Sequence, residues 1–392
     1  MPWKETSAVD QRIQLLADWV SGEYRKSELC QIYGVSRPTA DKWIGRYGES
    51  GPLGLEERPR APHRHPNETS AELRALIVQT KLAHQKWGPK KVLDWLRHKR
   101  PEHKWPADST AGEILKRAGL VQPRQRRRRV PPYSEPFCEC GAPNQSWSAD
   151  FKGHFLLGNG CRCYPLTVSD NCSRFLLLCR ALERPSYKEV KPWFEWVFRE
   201  AGLPESMRTD NGVPFASRGL GGISQLSKWW IKLGIKPERI QPGKPAQNGR
   251  HERMHRTLKE SVPPQSDLQK QQQRYDPFVD EYNWERCHEA LGRKPPGSVH
   301  CTSPRAYPVK LPEVEYESGV TVRHVRQNGE IKWRGEMFYV SEVLAKEPVG
   351  LTPIDDRKWE LRYSFHLLGV LDERNKSIMP AQGWHGNNCS KV

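Results

Sequence analysis

Three short acidic motifs, far apart in sequence, constrain this chain more than any other feature. The first is Trp147-Ser148-Ala149-Asp150-Phe151-Lys152-Gly153, and the second is Arg208-Thr209-Asp210-Asn211-Gly212. The third runs Pro245-Ala246-Gln247-Asn248-Gly249-Arg250-His251-Glu252-Arg253-Met254-His255-Arg256-Thr257-Leu258-Lys259. Asp150 falls mid-strand, Asp210 at an apolar-to-polar transition, and Glu252 on a helix that opens after a Pro/Asn/Gly turn. Only a tertiary fold brings such positions together. Three converging carboxylates in a basic chain imply divalent-metal chemistry on phosphodiesters.

The charge balance points the same way. Lys and Arg number 63 against 46 Asp and Glu, a net charge of +17 over 392 residues. Such an excess favours a polyanionic partner, most simply nucleic acid. The length allows two to four domains. The N-terminus lacks the apolar core of a secretory signal, and no window reaches the roughly 18 apolar residues of a membrane span, so a cytoplasmic location and no membrane partner are expected. The pairs Cys138/Cys140 and Cys161/Cys163 offer four thiols, but one intervening residue is unusual for zinc, and strand packing is the favoured alternative.

From the N-terminus, Ser7–Ser21 shows helical periodicity, with Ile13, Leu15, Leu16, Trp19 and Val20 as an apolar stripe. A short helix follows near Lys26–Tyr33. After a Gly34-Val35-Ser36 turn, Ser36 can cap a third helix over Arg37–Tyr47. Helix, tight turn, helix is a helix-turn-helix pattern. Its last helix would enter the major groove, with Arg37, Thr39, Lys42 and Arg46 as DNA-contact candidates and Trp43 and Ile44 turned inward. A second helical unit spans Ser70–Gly119, its third helix expected at Ala111–Ala118 with Ser109 or Thr110 as cap. Arg126, Arg127, Arg128 and Arg129 form a basic linker suited to phosphate contact.

From about residue 135 the pattern becomes mixed. Trp147–Leu157, Cys161–Ser169 and Ser173–Leu182 read as three successive strands. A helix is expected over Tyr187–Ala201, with Trp193, Trp196, Val197 and Phe198 facing the core. A short strand Glu205–Thr209, a helix Ile223–Leu233, a strand Ile235–Ile240 and helices Gln247–Ser261 and Tyr275–Leu291 follow. Beyond residue 313 short strands replace helices, and Asn328-Gly329 is a hairpin signal.

This order of elements and the motifs Trp147…Asp150, Asp210-Asn211-Gly212 and Asn248-Gly249…Glu252 resemble the ribonuclease-H-like core of retroviral integrases and DDE transposases. The likeness is nearer to insertion-sequence transposases of the IS481/IS3 type, on Ala149–Gly153, Pro165-Leu166-Thr167-Val168, His251–Lys259 and Tyr282-Asn283 with Arg286 and His288-Glu289-Ala290-Leu291. It covers nearly the whole chain. It implies a multidomain protein with all-α helix-turn-helix units at 1–62 and 63–130, an α/β catalytic core at 131–310, and a small all-β barrel at 311–392.

The resemblance assigns Asp150, Asp210 and Glu252 as catalytic metal ligands for two Mg²⁺ or Mn²⁺ ions. It implies that Asn248, Arg256 and Lys259, on the same side of the helix as Glu252, meet the DNA end. Double-stranded DNA, as element ends and target, is the implied partner, with at least a dimer on DNA. The 41 residues between Asp210 and Glu252 exceed the common integrase spacing, and the surplus is expected as a loop in Ala216–Ser227. Rival readings are a DNA-binding regulator with a silent core and a metal nuclease without joining activity.

Overall fold

The computed structural model describes residues 7–58, 68–121, 140–217, 219–240 and 248–381. Arg126 to Arg129, Cys138, Arg218, Pro245 to Gln247 and the last residues of the chain lie outside that set. The chain forms two compact units, Met1–Thr69 and Ser70–Val392.

In the first unit, α1 (Ala8–Ser21), α2 (Lys26–Ile32) and α3 (Arg37–Ser50) form a three-helix arrangement closed by a turn at Gly51–Leu55. Ser7 and Asp10 make a reciprocal capping box, and Ser36 accepts the Thr39 N–H. Leu15, Leu16, Trp43 and Leu55 make the core. Ile13 and Val20 of the expected stripe are exposed instead, because so small a core takes only one turn of α1. The Arg12 guanidinium stacks 3.8 Å over the Trp43 ring and donates to the Leu55 carbonyl at 2.8 Å.

The second unit opens with α4 (Ala71–Ala83), α5 (Pro89–Lys99) and α6 (Asp108–Arg117), packed around Ile77, Trp87, Val92, Leu93, Leu96, Ala111 and Leu115. The third helix begins earlier than the sequence suggested. Ala107 is its N-cap, and Asp108 in the first turn pairs with Arg97 and Arg293.

The middle of the second unit is a sheet sandwiched between helices. β1 (Ser146–Phe151) pairs antiparallel with β3 (Arg162–Asp170) and parallel with β5 (Ser206–Thr209), and β5 pairs parallel with β6 (Lys236–Arg239). β4 (Leu176–Leu182) and the short β2 (Phe155–Leu156) pair with β3. One face carries Trp147, Ala149, Leu166 and Val168 against α7 (Tyr187–Ala201) and α8 (Gln225–Lys232). The strand period of two sends Ser148, Asp150, Thr167 and Ser169 to the other face. That face is covered by α9 (Gly249–Ser261) and α10 (Leu268–Asp280), whose Met254, Leu258, Tyr275 and Phe278 share a core with Leu176 and Cys179.

Two expected elements shift. Trp196 stands exposed on α7, since Val190, Phe194, Val197 and Phe198 already fill the inward stripe at helical spacing. The Tyr275–Leu291 helix is instead α10, capped by Asp267, followed by a single wide turn at Glu281–Glu285. Asn283 in that turn explains the break. Its side chain accepts from the Leu176 N–H at 2.8 Å and donates to the Leu176 carbonyl at 2.9 Å, completing the end of β4 as a strand would.

The C-terminal region is not a closed barrel. β7 (Thr321–His324), β10 (Pro348–Asp355), β11 (Lys358–Tyr363), β12 (His366–Asp372) and β13 (Ser377–Pro380) form an open antiparallel sheet, with β8 (Glu330–Trp333) and β9 (Glu336–Tyr339) as a separate ribbon. Asn328-Gly329 makes a tight turn, the Gly329 N–H reaching the Arg326 carbonyl at 3.0 Å, but its flanking strands lie in different sheets. The sheet has no need to close on itself. Its core of Val349, Leu351, Leu361, Tyr363, Leu368 and Leu371 is covered by Ile331, Trp333, Phe338 and Val340 of the ribbon region and completed by Ile223 and Ile231, with Leu220 packed alongside. The surplus residues before α8 are therefore a docking surface. Their 3₁₀ turn, Leu220–Gly222, sits on β12, and His366 Nε2 lies 3.1 Å from the Gly221 carbonyl. Lys232 bridges to Glu347 at 2.8 Å.

Candidate active site

Asp150 projects from β1 onto the face covered by α9, with only 16% of its side chain exposed. Burial, then the Asp210 charge and to a lesser degree the Glu252 charge, push its carboxyl up to about 7, while the Phe151 N–H and the Lys152 charge pull the other way. Asp150 thus feels carboxylates from two other segments. Asp210 follows β5 directly. Burial raises its carboxyl, and a hydrogen bond from the Gly212 N–H, at 3.1 Å to Oδ1, pulls the other way. A Cβ at Gly212 would sit 3.0 Å from Asp210 Oδ2, so glycine lets the backbone close on the carboxylate. Asn211 donates to the Ile240 carbonyl at 2.9 Å and ties this turn to the end of β6. The Asp-Asn-Gly triplet is a local scaffold for one carboxylate.

Glu252 is exposed in the first turn of α9. The helix has three stripes. His251, Met254, His255 and Leu258 face the sheet; Glu252, Arg256 and Lys259 are exposed on one flank; exposed Arg250 and Arg253 with half-buried Thr257 form the other flank. Asn248 opens the helix without a side-chain cap and is buried; its Nδ2 donates to Asp150 Oδ2 at 3.2 Å.

Beneath the carboxylates lies a network that sequence reasoning did not single out. Thr167 Oγ1 is 2.7 Å from both His251 Nε2 and His255 Nε2, and it donates to the Asp150 carbonyl at 3.1 Å in one of its possible arrangements. Ser169 Oγ is 3.0 Å from His251 Nδ1. Burial holds both imidazoles neutral, at about 3 for His251 and about 2 for His255. The signal was present in sequence: two histidines four apart on one helix, and two hydroxyls two apart on one strand, meet when that helix covers that strand.

Asp150, His251 and His255 together place three potential metal ligands within 4.8 Å of one another. Both nitrogens of His251 already face hydroxyls, so the imidazoles suit support of the site. The three carboxylates fit divalent cations better. They are hard oxygen donors, and Asp150 is raised by like charges that a cation would offset.

The other expected site residues are dispersed. Arg37 and Lys42 are exposed on α3. Thr39 is half-buried, its Oγ1 2.9 Å from Ser36 Oγ, and Arg46 is half-buried over Trp43 at 5.0 Å. Arg256 and Lys259 are exposed beside Glu252. Cys163 is buried on β3, Cys161 is exposed, and Cys140 is half-buried. Among the described residues no thiol joins a group able to hold a metal, and no helix is long and apolar enough to cross a membrane.

Known proteins match these same regions. Residues 141–245 and 233–296 match families described as integrase core domain. Residues 11–63 match a helix-turn-helix domain and residues 39–115 a homeodomain-like domain. An uncharacterized 31.7 kDa protein of insertion element IS407 from Burkholderia multivorans is 33% identical over 148 residues, 34% of this chain and 47% of the relative. An uncharacterized 39.2 kDa protein of insertion element IS476 from Xanthomonas euvesicatoria is 27% identical over 235 residues, 59% of this chain and 65% of the relative. The chain thus spans less than two thirds of either. Among solved structures, the HTLV-2 integrase catalytic core domain in complex with magnesium aligns over 41% of this chain and 99% of that chain, at 16% identity and a TM-score of 0.33. A simian T-cell lymphotropic virus intasome chain aligns over 74% of this chain and 97% of its own, at 16% identity and a TM-score of 0.36.

Proposed function

We infer that this chain belongs to the DDE transposases of the IS481/IS3 type, and propose that it binds the terminal inverted repeats of its element and carries out metal-dependent 3′-end cleavage and strand transfer. What supports this reading is that Asp150 lies on β1, paired with the strand that ends just before Asp210, and accepts from Asn248 at the start of the helix that carries Glu252. Asp150, Asp210 and Glu252 would hold Mg²⁺ or Mn²⁺, two ions in all. When bound, such ions activate a water or a 3′-hydroxyl and stabilise the leaving oxygen of an in-line displacement.

The chain's own residues supply the rest. Asn248 fixes the Asp150 carboxylate by its amide hydrogen bond. Thr167, His251 and His255 hold α9 against β3, so Glu252 keeps its position over the sheet. Arg256 and Lys259, exposed beside Glu252, meet the DNA end. Arg37, Thr39, Lys42 and Arg46 of the first helix-turn-helix unit read the repeat, and the helices before residue 130 extend that contact. The working unit is at least a dimer, because two ends must be joined together, and it acts in the bacterial cytoplasm. The domains are 1–62, 63–130, 131–310 and 311–392.

A strand-transfer assay tests the reading. Labelled duplexes bearing the sequences that flank the gene are incubated with Mg²⁺ or Mn²⁺ and either wild type or Glu252→Gln. Joined products from wild type, lost in the variant while end binding persists, support it. Cleavage without joining favours a nuclease. Binding with neither cleavage nor joining favours a DNA-binding regulator.

A further inference from the structure

Away from the carboxylates, the second unit gathers basic side chains from four segments. Lys91 comes from α5, Arg174 from the turn between β3 and β4, Arg253 from α9, and Arg286 and His288 from the stretch after α10. Their charges act on one another: Arg286 and Arg253 on Lys91, Arg253 and Arg250 on Arg174, and Lys91, Arg286, Arg174 and Arg253 on His288. Acids border the group: Glu281 and Glu260 act on Arg286, and Glu289 acts on Lys91, but the closest ion pairs that Glu281 and Glu289 make lie outside it. Glu281 and Glu285 face His84, Glu289 pairs with Lys90, and Asp94 pairs with Arg97 and Arg293.

Among the described residues, two buried nitrogens in this group have no hydrogen-bond partner, Arg174 Nη1 and His288 Nε2. Arg174 also holds a left-handed backbone, φ 63, where a non-glycine residue is uncommon. Tyr282 walls the group, its ring 5.1 Å from that of His288, and Arg286 Nη2 reaches Thr257 Oγ1 on α9 at 3.4 Å. Arg174 and His288 still feel chiefly other cations, so a bound anion would offset charge there. Guanidinium donors match phosphate oxygens.

We propose that Lys91, Arg174, Arg253, Arg286 and His288 form a pocket for a backbone phosphate of duplex DNA, on the flank of α9 that carries Arg253 and Thr257. Sequence is not read there; the pocket fixes the path of the strand across the carboxylates. The identity of the anion rests on the proposed function.

The test compares the full chain with Arg174→Gln and Lys91→Met. Fluorescence anisotropy measures binding of an end-bearing duplex from about 50 to 200 mM salt. Each variant is expected to weaken binding several-fold and to reduce the slope of log affinity against log salt by about 1. Its Tm without DNA is expected to stay level or rise. Unchanged affinity and slope in both variants would overturn the pocket while leaving the proposed function intact. Weaker binding with a lowered Tm in both would mark a structural role and overturn it too. Inorganic phosphate that raises the wild-type Tm as much as duplex at equal phosphate concentration would assign the site to a free anion. Failure of wild type to bind any duplex would defeat the proposed function itself, and the pocket with it.

Discussion

Asn248 gives its side-chain amide to Asp150, Nδ2 to Oδ2 at 3.2 Å, and makes no capping bond to the helix it opens. An asparagine at a helix start ordinarily accepts a backbone N–H. Here it links the strand that carries one carboxylate to the helix that carries another.

Asn248→Ala should therefore damage chemistry more than binding. A hydrogen bond to a charged group is worth about 1.5–3 kcal/mol. Strand transfer should fall by roughly 10- to 100-fold if that support is lost in the transition state, while end affinity stays within about twofold. Single-turnover strand transfer beside anisotropy on the same duplex separates the two. A large loss of affinity with an unchanged rate would place Asn248 on the DNA instead.

The core was legible where periodicity and chemistry agreed. Tyr187–Ala201 is a helix over the stated range, and the three carboxylate motifs fall on a strand, a strand end and a helix as read. What escaped depends on contacts between distant segments. The partners of His251 and His255 are Thr167 and Ser169, which no local pattern pairs with them. The break after α10 reflects Asn283 bonding to Leu176, more than a hundred residues away. The expected barrel gave way to an open sheet whose apolar face is covered by Ile331, Trp333, Phe338 and Val340 of the β8–β9 ribbon region together with Ile223 and Ile231 from before and within α8.

Thr167→Val tests the buried network. Valine keeps the shape but removes the hydroxyl that two neutral imidazoles share. Leaving buried polar groups unpaired costs about 1–3 kcal/mol, so urea unfolding should show a loss of that size. His255→Phe alongside, which removes one imidazole, should reduce the effect of Thr167→Val in a double-mutant cycle. Additive losses would mean that the two residues do not share the bond.

Gly221→Ala tests whether the C-terminal sheet is built onto the catalytic core. Gly221 has φ +59, and a Cβ there would lie 2.8 Å from Leu368 Cδ2. Alanine must strain the backbone and push β12 away from the segment that runs back to Asp210. A loss of about 1–3 kcal/mol is expected, read as a lowered Tm. Strand transfer should fall as well, although the residue belongs to no carboxylate motif. An unchanged Tm would show that this contact is not made in solution.

Lys91 gives a pH dependence whose sign can be worked out. Burial, then the Arg286 charge, lowers its ammonium to about 8, with Glu289 opposing and Arg253 reinforcing. In the unfolded chain the group titrates near its ordinary value of 10.5. Below pH 8 it is charged in both states, and folding bears the full cost of burying that charge. Between about 8 and 10.5 the folded protein releases the proton first, and the cost fades. Lys91→Met removes the group, so its stabilising effect should be greatest at neutral pH and shrink as pH rises through that window. Thermal unfolding of both proteins at pH 7, 8.5 and 10, free of DNA, measures the difference. A gap in Tm of a few degrees at pH 7 that closes by pH 10 is expected. A gap that widens with pH, or a variant less stable at pH 7, would show that Lys91 is held by a favourable partner and not by burial among other cations.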